Sequence, residues 1–186
     1  MKKIVTILTL FFITTALAIA KSSDDKEIIA KLGVQPQNTT NTDGTDENMN
    51  VGISAGAEFF KYFGNIFAFG AGALIDLPRN FKDKNLEGSL SCIPLYVGAK
   101  IRTPLSGLDD TYAFLSGRVG YSMPMTKGFL DSATGGLYWA AGLGVNINCI
   151  IIEAVYARHN FNYAFNSVNR DANYSTITLY VGFNFE

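Results

Sequence analysis

A period-two alternation of apolar and small or polar side chains constrains this chain most. In the segment Asn50–Phe60, Val51, Ile53 and every second residue after them are apolar, whereas the residues between them are small or polar. Successive side chains of a β-strand point to opposite faces, so each such segment predicts a strand with one apolar face. The segments with this pattern are Lys26–Gln35, Asn50–Phe60, Ile66–Leu77, Ser91–Arg102, Tyr112–Ser122, Leu137–Asn148, Ile150–His159 and Tyr174–Phe185.

Eight charged residues within these segments fall on the face opposite the apolar one. They are Glu27, Lys31, Glu58, Asp76, Lys100, Arg102, Arg118 and Glu153. A water-soluble barrel such as a lipocalin also alternates, but it places its large apolar side chains inside. Here the glycines and charges share a face and would make a poor soluble core. A Lys or Arg at the lipid-facing midplane costs about 2–4 kcal/mol, so the sorting favours a membrane barrel whose charges face the lumen.

The predicted fold class is all-β: an eight-stranded antiparallel up-and-down transmembrane β-barrel. In hydrocarbon every backbone donor and acceptor must be paired internally, and a sheet achieves this only by closing on itself. The first strand is the least regular, because Ile29 interrupts its polar side, but it completes an even count. The connectors alternate in length, and the long ones are Pro36–Met49, Pro78–Leu90, Met123–Gly136 and Asn160–Asn173. Long outer loops and short periplasmic turns are typical of bacterial outer-membrane barrels.

The N-terminal residues resemble a secretory signal. Lys2 and Lys3 give a basic start, Ile4–Leu17 is mostly apolar, and Ala18-Ile19-Ala20 supplies small residues at a cleavage position. We expect cleavage after Ala20, so residues 1–20 form a signal peptide and residues 21–186 a single barrel domain. The alternative of an N-terminal anchor is weaker, because a spanning helix needs about 20 apolar residues.

Aromatic residues occur near the predicted strand ends. Phe59, Phe67, Phe69, Phe183 and Phe185 lie near the predicted periplasmic ends, and Tyr121, Trp139 and Tyr156 lie near the opposite ends. Tyr and Trp favour the boundary of a bilayer, because part of the ring is apolar and part can form hydrogen bonds. The pattern indicates interface residues, although aromatic residues are also common in ordinary sheets.

Several runs resemble a known family. Ile93–Arg102 and Leu115–Tyr121 resemble strands of the small OmpA- and OmpX-like outer-membrane barrels, and Thr178–Phe185 is similar to the C-terminal signal of such barrels. Glu186 and Tyr180 depart from that signal. The resemblance implies a location in the bacterial outer membrane, outer-membrane lipids as surroundings, and insertion by the barrel-assembly machinery.

The lumen of an eight-stranded barrel is just wide enough for side chains to fill. Four cations on the inward faces match four carboxylates in number, and buried ions persist only when they are paired. We therefore expect a plug in which Glu58 and Glu153 face Lys100, Arg102 or Arg118. The alternative is a narrow path for ions or small solutes, gated by the same groups.

Catalysis, metal binding and cofactors find little support in the sequence. His159, the single histidine, is predicted at an extracellular strand end as a surface residue, without the Ser two residues later that a lipid-modifying barrel hydrolase would have. Asp109 and Asp110 fall in a predicted periplasmic turn. The remaining candidates match no metal or nucleotide motif and are Asp43, Asp46, Glu47, Gly70, Gly72, Gly142 and Gly144. We expect neither an enzyme nor a cofactor.

The net charge limits the partners of this chain, and the positions of its cysteines argue against a disulfide. A formal charge of −1 excludes an ordinary basic nucleic-acid binder. Cys92 and Cys149 are predicted near opposite rims, too far apart for a disulfide. The leading functional hypothesis is a structural or surface-contact role through the outer loops, whose extracellular ligand the sequence does not identify. A narrow pore is the second hypothesis and a lipid-modifying enzyme the third.

Overall fold

A computed structural model of the protein describes residues 25–42, 45–80, 88–105, 110–128, 132–165 and 168–185. The predicted signal peptide, residues 1–20, lies outside the described residues. The described strands are β1 (Lys26–Thr42), β2 (Thr45–Asn48), β3 (Gly52–Phe63), β4 (Phe67–Asn80), β5 (Gly88–Pro104), β6 (Thr111–Gly128), β7 (Ser132–Thr134), β8 (Gly136–Ile147), β9 (Ile150–Phe165) and β10 (Val168–Phe185). Within these ranges no helix has the length and apolar character needed to span a membrane.

Eight of these strands form a closed antiparallel barrel. The order β1, β3, β4, β5, β6, β8, β9, β10 follows the chain, and β10 pairs with both β9 and β1. At the closing seam Ile29 is opposite Asn184, and on its other side β1 places Ile29 opposite Glu58. The least regular predicted strand is therefore a full member of the barrel, and the predicted fold class is confirmed. The short strands β2 and β7 extend the wall by pairing with β1 and β9.

Short turns join the strands at one end of the barrel, which we call the short-turn end; the opposite end is the loop end. Gly64 lies in the β3–β4 turn with a φ of 70°, a left-handed conformation that glycine adopts without a Cβ clash. Asp110 and Asn148 also have positive φ, at 49° and 55°, before β6 and in the β8–β9 turn. Asp and Asn tolerate this region better than other side chains, which explains their presence at these tight connections.

All four predicted long loops are wrong in extent, because strands continue into each of them. Within Pro36–Met49, β1 continues to Thr42 and β2 pairs back onto it, and within Asn160–Asn173, β9 continues to Phe165 and β10 begins at Val168. In the other two predicted loops, β4 extends to Asn80 and β6 to Gly128. The outward face of the β1 and β9 extensions is polar, as at Gln37, Asn160 and Asn162, so the outward apolar pattern ends while the backbone ladder continues.

Burial is inverted relative to a soluble protein. Outward-facing apolar side chains form an exposed belt around the barrel, with Leu32 at 65%, Leu143 at 63% and Leu115 at 62% exposure. Charged inward-facing side chains such as Glu58 and Lys100 are only 3% and 2% exposed. We call this ring of outward residues the apolar belt. Its existence distinguishes the barrel from the lipocalin-like alternative.

Among the described residues, the interior also contains three apolar clusters. The cluster in the short-turn half comprises Ile29, Phe60, Tyr62, Ala68, Phe114 and Ile151. The middle cluster comprises Leu74, Tyr96, Tyr138, Ala140, Val155, Ala157 and Tyr180, and the loop-end cluster comprises Met49, Cys92, Phe161 and Tyr174. Large rings therefore fill the lumen between groups of ions.

Candidate functional site

Four charged side chains from four strands meet in the middle of the lumen. Arg118 on β6 contacts Glu58 on β3 through Nε–Oε1 at 2.7 Å, and its Nη2 lies 2.7 and 2.9 Å from the two carboxylate oxygens of Glu153 on β9. Lys31 on β1 donates to Glu58 Oε1 at 2.8 Å and lies 3.4 Å from Glu153 Oε2. The four side chains are at most 2% exposed. We call them the central tetrad.

Neutral groups complete the tetrad. The Tyr96 hydroxyl donates to Glu58 Oε1 at 2.6 Å, and Ser116 Oγ donates to Glu153 Oε1 at 2.7 Å while accepting from Arg118 Nη1 at 3.0 Å. The Lys31 ammonium lies 4.5 Å from the centre of the Tyr180 ring. Two cations balance two carboxylates, and charge-assisted hydrogen bonds of this kind are stronger than neutral ones. The tetrad is therefore a charge-neutral brace across the barrel.

A second ionic group lies toward the short-turn end. Glu27 accepts from Lys100 Nζ at 3.1 Å, from the Tyr62 hydroxyl at 2.9 Å, and from the Tyr112 hydroxyl. Lys100 also lies 4.1 Å from the centre of the Phe60 ring. Cation–π contacts supplement ion pairing where water is excluded. This group closes the lumen below the tetrad.

Arg102 lies at the edge of this second group. Its guanidinium carbon is 3.6 Å from the centre of the Tyr62 ring, and its Nε donates to the backbone oxygen of Asn65 in the β3–β4 turn at 3.0 Å. The side chain is half-buried. Arg102 therefore caps the short-turn end.

A third polar group lies toward the loop end. Gln35 Nε2 donates to Asp76 Oδ1 at 2.8 Å, His159 Nε2 is 3.8 Å from Asp76 Oδ2, and His159 Nδ1 is 2.9 Å from Ser122 Oγ. His159 is 1% exposed and packs between the rings of Tyr138 and Tyr174, with centres 4.9 and 5.1 Å away. The prediction of a surface histidine is therefore wrong. Because β9 continues to Phe165, His159 lies inside the wall instead of at its end.

Ser122, His159 and Asp76 are residue types that can form a hydrolytic triad, and sequence spacing gave no signal for them because they come from three separate strands. Their exposures are 0%, 1% and 2%. A lipid substrate outside the wall has no contact with them, and a nucleophile must meet its substrate to act. This arrangement suits a hydrogen-bonded interior group better than a catalytic centre.

The eight predicted lumen residues are distributed among these three groups. Of the cations expected to face Glu58 and Glu153, Arg118 does so, whereas Lys100 contacts Glu27 and Arg102 contacts Asn65. Lys31, which is not one of these expected cations, is the second partner. Parity along a strand gives the face of a residue, but the pairing across the lumen depends on the stagger of the strands.

The predicted interface aromatics all lie on the outer wall. Phe59, Phe67, Phe69, Tyr121, Trp139, Tyr156 and Phe183 are 37–58% exposed, and Phe185 is half-buried. Trp139 and Tyr156 pack with ring centres 5.5 Å apart, and Phe183 and Phe185 with centres 4.8 Å apart. The first pair lies toward the loop end and the second at the short-turn end.

The other candidate residues that the structure describes lie in strands or turns. Cys92 is buried near the loop end and Cys149 is exposed in the β8–β9 turn, and they form no disulfide, as expected. Asp110 is exposed beside its turn, whereas Asp43 and Asp109 lie outside the described residues. Within the described ranges, no three His, Cys, Asp or Glu side chains are grouped closely enough to hold a metal ion. Asp46 and Glu47 lie in β2, and the paired glycines Gly70, Gly72, Gly142 and Gly144 lie in β4 and β8.

Several solved structures of other proteins have a similar fold. Neisserial surface protein A matches with a TM-score of 0.56 and 10% identity, over 85% of this chain and 96% of that one. The outer membrane protein OprG from Pseudomonas aeruginosa matches with a TM-score of 0.54 and 10% identity, over 90% and 99%. Ail, the attachment invasion locus protein of Yersinia pestis, matches with a TM-score of 0.50 and 17% identity, over 88% and 100%.

The chain has the fold of the small OmpA- and OmpX-like outer-membrane barrels. At these identities the likeness concerns the fold alone. No protein-family model matches the sequence, and no curated protein matches it.

Proposed function

We propose that this chain is a small integral protein of a bacterial outer membrane, with a plugged lumen and a structural or surface-contact role. The observation that carries this proposal is the inverted burial: ionic side chains are enclosed in the lumen while the apolar belt faces outward. In water an exposed belt of this extent would drive association, whereas in a bilayer it meets acyl chains.

The proposed partners follow from the same surface. Outer-membrane lipids surround the apolar belt, and the outward aromatic residues lie at its two boundaries, where headgroups meet hydrocarbon. The barrel-assembly machinery is the proposed insertion partner, because Thr178–Phe185, which is similar to the signal of such barrels, lies in β10 with Phe183 exposed on the outer wall. The loop end is the proposed binding surface for an extracellular ligand.

The interior supports a plug over the alternative pore. The central tetrad bridges β1, β3, β6 and β9, and the Glu27 group closes the lumen below it. Moving an ion past these groups requires breaking buried ion pairs, and removal of one partner of such a pair costs about 3–5 kcal/mol. A non-enzymatic role is supported by the enclosure of Ser122, His159 and Asp76.

The loop end supports a contact role. β1 and β2 pair from Thr39 opposite Asn48 to Thr42 opposite Thr45, so this part of the wall is a hydrogen-bonded hairpin. β9 and β10 remain paired up to Phe165 opposite Val168. Backbone pairing makes these extensions more rigid than free loops, which lowers the entropy lost when a partner binds.

Residues 21–186 should be purified and tested with and without detergent. We expect heat-modifiable gel mobility in detergent or liposomes, aggregation in plain buffer, and no single-channel current in planar bilayers. A compact monomer in detergent-free buffer would contradict the membrane assignment. Discrete channels would favour the pore, and hydrolysis of outer-membrane lipids would favour the enzyme.

A further inference from the structure

His159 is enclosed by contacts from four other strands in the loop-end half of the lumen. Its Nδ1 lies 2.9 Å from Ser122 Oγ on β6, and its Nε2 lies 3.8 Å from Asp76 Oδ2 on β4. The centres of the Tyr138 ring on β8 and the Tyr174 ring on β10 are 4.9 and 5.1 Å from the imidazole centre. The position of this side chain, which comes from β9, is therefore fixed from several directions.

The two ring nitrogens of His159 differ in how closely they approach their partners. The 2.9 Å contact with Ser122 is a hydrogen bond, whereas the 3.8 Å between Nε2 and Oδ2 of Asp76 is too long for one. A neutral imidazole has one N–H group and one acceptor nitrogen, but a protonated imidazole donates from both nitrogens. Protonation therefore gives Nε2 an N–H group, and a shortening of about 1 Å would complete a charge-assisted hydrogen bond to Asp76.

Asp76 is itself tied to further strands. Its Oδ1 accepts from Gln35 Nε2 on β1 at 2.8 Å, and its backbone oxygen accepts from Ser91 Oγ on β5 at 2.6 Å. In the order of the eight barrel strands, β4 and β9 are four places apart and lie on opposite sides of the lumen. A charged hydrogen bond from His159 to Asp76 would therefore join opposite walls of the barrel and reach β1 through Gln35.

Titratable and polar side chains from six strands surround the pair of His159 and Asp76 in the described part of the chain. Besides Asp76 on β4, they are Gln35 on β1, Cys92 on β5, Ser122 on β6, Tyr138 on β8 and Tyr174 on β10. Arg158, the neighbour of His159 on β9, is on the outward face opposite Trp139. The charge-neutral central tetrad lies beyond Tyr138, whose ring centre is 5.4 Å from that of Tyr96.

These surroundings favour a protonated ring. A carboxylate within about 4–6 Å attracts the charged form of His159, and tyrosine rings attract cations as well. Burial opposes an isolated cation. Asp76 and a protonated His159 together carry no net charge, however, whereas the same carboxylate beside a neutral ring carries one. Burial of the pair as a whole therefore does not oppose uptake of the proton.

We propose that His159 and Asp76 form a proton-operated latch in the loop-end half of the lumen. When the ring takes up a proton, Nε2 donates to Asp76 and fastens β9 to β4; when the proton leaves, this connection is released. The latch stabilises the folded barrel at acidic pH, and its contribution is lost as the pH rises, because the folded state holds the proton more tightly than the unfolded chain. All of its groups lie inside the barrel, so it holds whether or not the outer wall meets lipid.

The ring is its own reporter, because His159 is the single histidine of the chain. The mature barrel in detergent micelles is labelled with nitrogen-15 in histidine, and the ring shifts are followed by NMR while the pH is varied. We expect Asp76→Asn to lower the proton affinity of the ring about ten-fold or more, the effect of losing an opposite charge at this distance. Asp171→Asn is the matched control: it neutralises an exposed carboxylate on β10 and should change the affinity less than about two-fold.

Unfolding in urea measures the effect of the latch on the barrel. Between about pH 8 and about pH 6, the unfolding equilibrium constant of the parent should fall about ten-fold, and that of His159→Gln less than about two-fold. Glutamine keeps a donor and an acceptor for Ser122 but cannot take up a proton. Adding Asp76→Asn to His159→Gln should not change the pH dependence further, because the two residues act as one unit.

Three results would overturn the latch: the same ring titration in Asp76→Asn as in the parent, the same pH dependence of unfolding in His159→Gln as in the parent, or a parent that loses stability on acidification relative to His159→Gln. The last would mean that His159 is a neutral core residue. If the variants do not fold, the parent alone decides, because a ring that stays neutral at about pH 5 would also overturn the latch. Failure of the proposed membrane role would differ, as a barrel that stays monomeric in plain buffer.

Discussion

Arg118 connects carboxylates from two strands that are not neighbours in the barrel. Its guanidinium contacts Glu58 on β3 and Glu153 on β9, and its side chain is fully buried. The planar group with several donors suits two partners at once, which a single ammonium does less well. Lys31 adds charge to the same pair, but the hydrogen-bond geometry depends mainly on Arg118.

Arg118→Ala should lower the free energy of unfolding by about 3–5 kcal/mol, because it leaves two buried carboxylates with one cation. Urea unfolding of the barrel in detergent measures the loss. Arg102→Ala is the control, and we expect a change of at most about 1 kcal/mol because Arg102 is half-exposed at the short-turn end.

Arg118→Ala also tests whether ions can pass through the lumen. Removing Arg118 should not open a current, since the Glu27 group and the rings of Phe60 and Phe114 still fill the short-turn half. A large rise in single-channel current in Arg118→Ala would contradict the plug and support a gate formed by the tetrad.

Gly72 is required by a close approach inside the lumen. A Cβ at this position would lie 2.7 Å from the Cζ and hydroxyl oxygen of Tyr96, whose hydroxyl binds Glu58. Gly72→Ala should therefore displace Tyr96 and cost about 1–3 kcal/mol, as overpacking of a filled core does. Thermal unfolding in detergent checks this.

Gly117→Ala is the matched control for Gly72, because a Cβ there has no heavy atom within 4 Å. It should leave stability unchanged or slightly raised, since alanine loses less backbone freedom than glycine on folding. Equal loss in the two variants would mean that the Tyr96 contact is not limiting.

At the level of the strands, sequence parity predicted the faces correctly wherever a strand crosses the apolar belt. Leu143 and Glu153, for example, face opposite sides as expected. Strand ends were not predictable, because beyond the belt the outward face becomes polar, as at Asn160 and Asn162, while the ladder continues. That error placed His159 at a rim.

Leu143→Arg should cost about 2–4 kcal/mol for unfolding from lipid, because it places a cation in the middle of the belt on β8. Leu143 is 63% exposed, so in water the same substitution would be almost neutral. Folding titrations in liposomes measure the cost. Gln37→Arg is the control. Gln37 is exposed on β1, on the loop-end side of the register shift between Val34 and Gln37. We expect its substitution to change the free energy of unfolding by at most about 1 kcal/mol.

For the whole molecule, the two ends of the barrel differ in a way that gives an orientation. The short-turn end has brief connections at Gly64 and Asn148, whereas the loop end extends through the paired hairpins of β1–β2 and β9–β10. In outer-membrane barrels the longer extensions face the exterior and the short turns face the periplasm. Cys92 and Cys149 lie at opposite ends and differ in exposure, so thiol chemistry can report this orientation.

A membrane-impermeant maleimide should leave Cys149 unlabelled in intact cells and label it once the outer membrane is permeabilised. Cys92 should react only after unfolding, because it is 1% exposed beside Phe161 and Tyr174. Asn162→Cys, at an exposed position on β9 near the loop end, is the positive control and should react in intact cells.

Labelling of Cys149 in intact cells, together with an unreactive Asn162→Cys, would mean that the barrel is inserted in the opposite orientation. Reaction of both in intact cells would mean that neither end is shielded by a membrane. The expected pattern requires the apolar belt to separate two compartments, which a soluble barrel could not do.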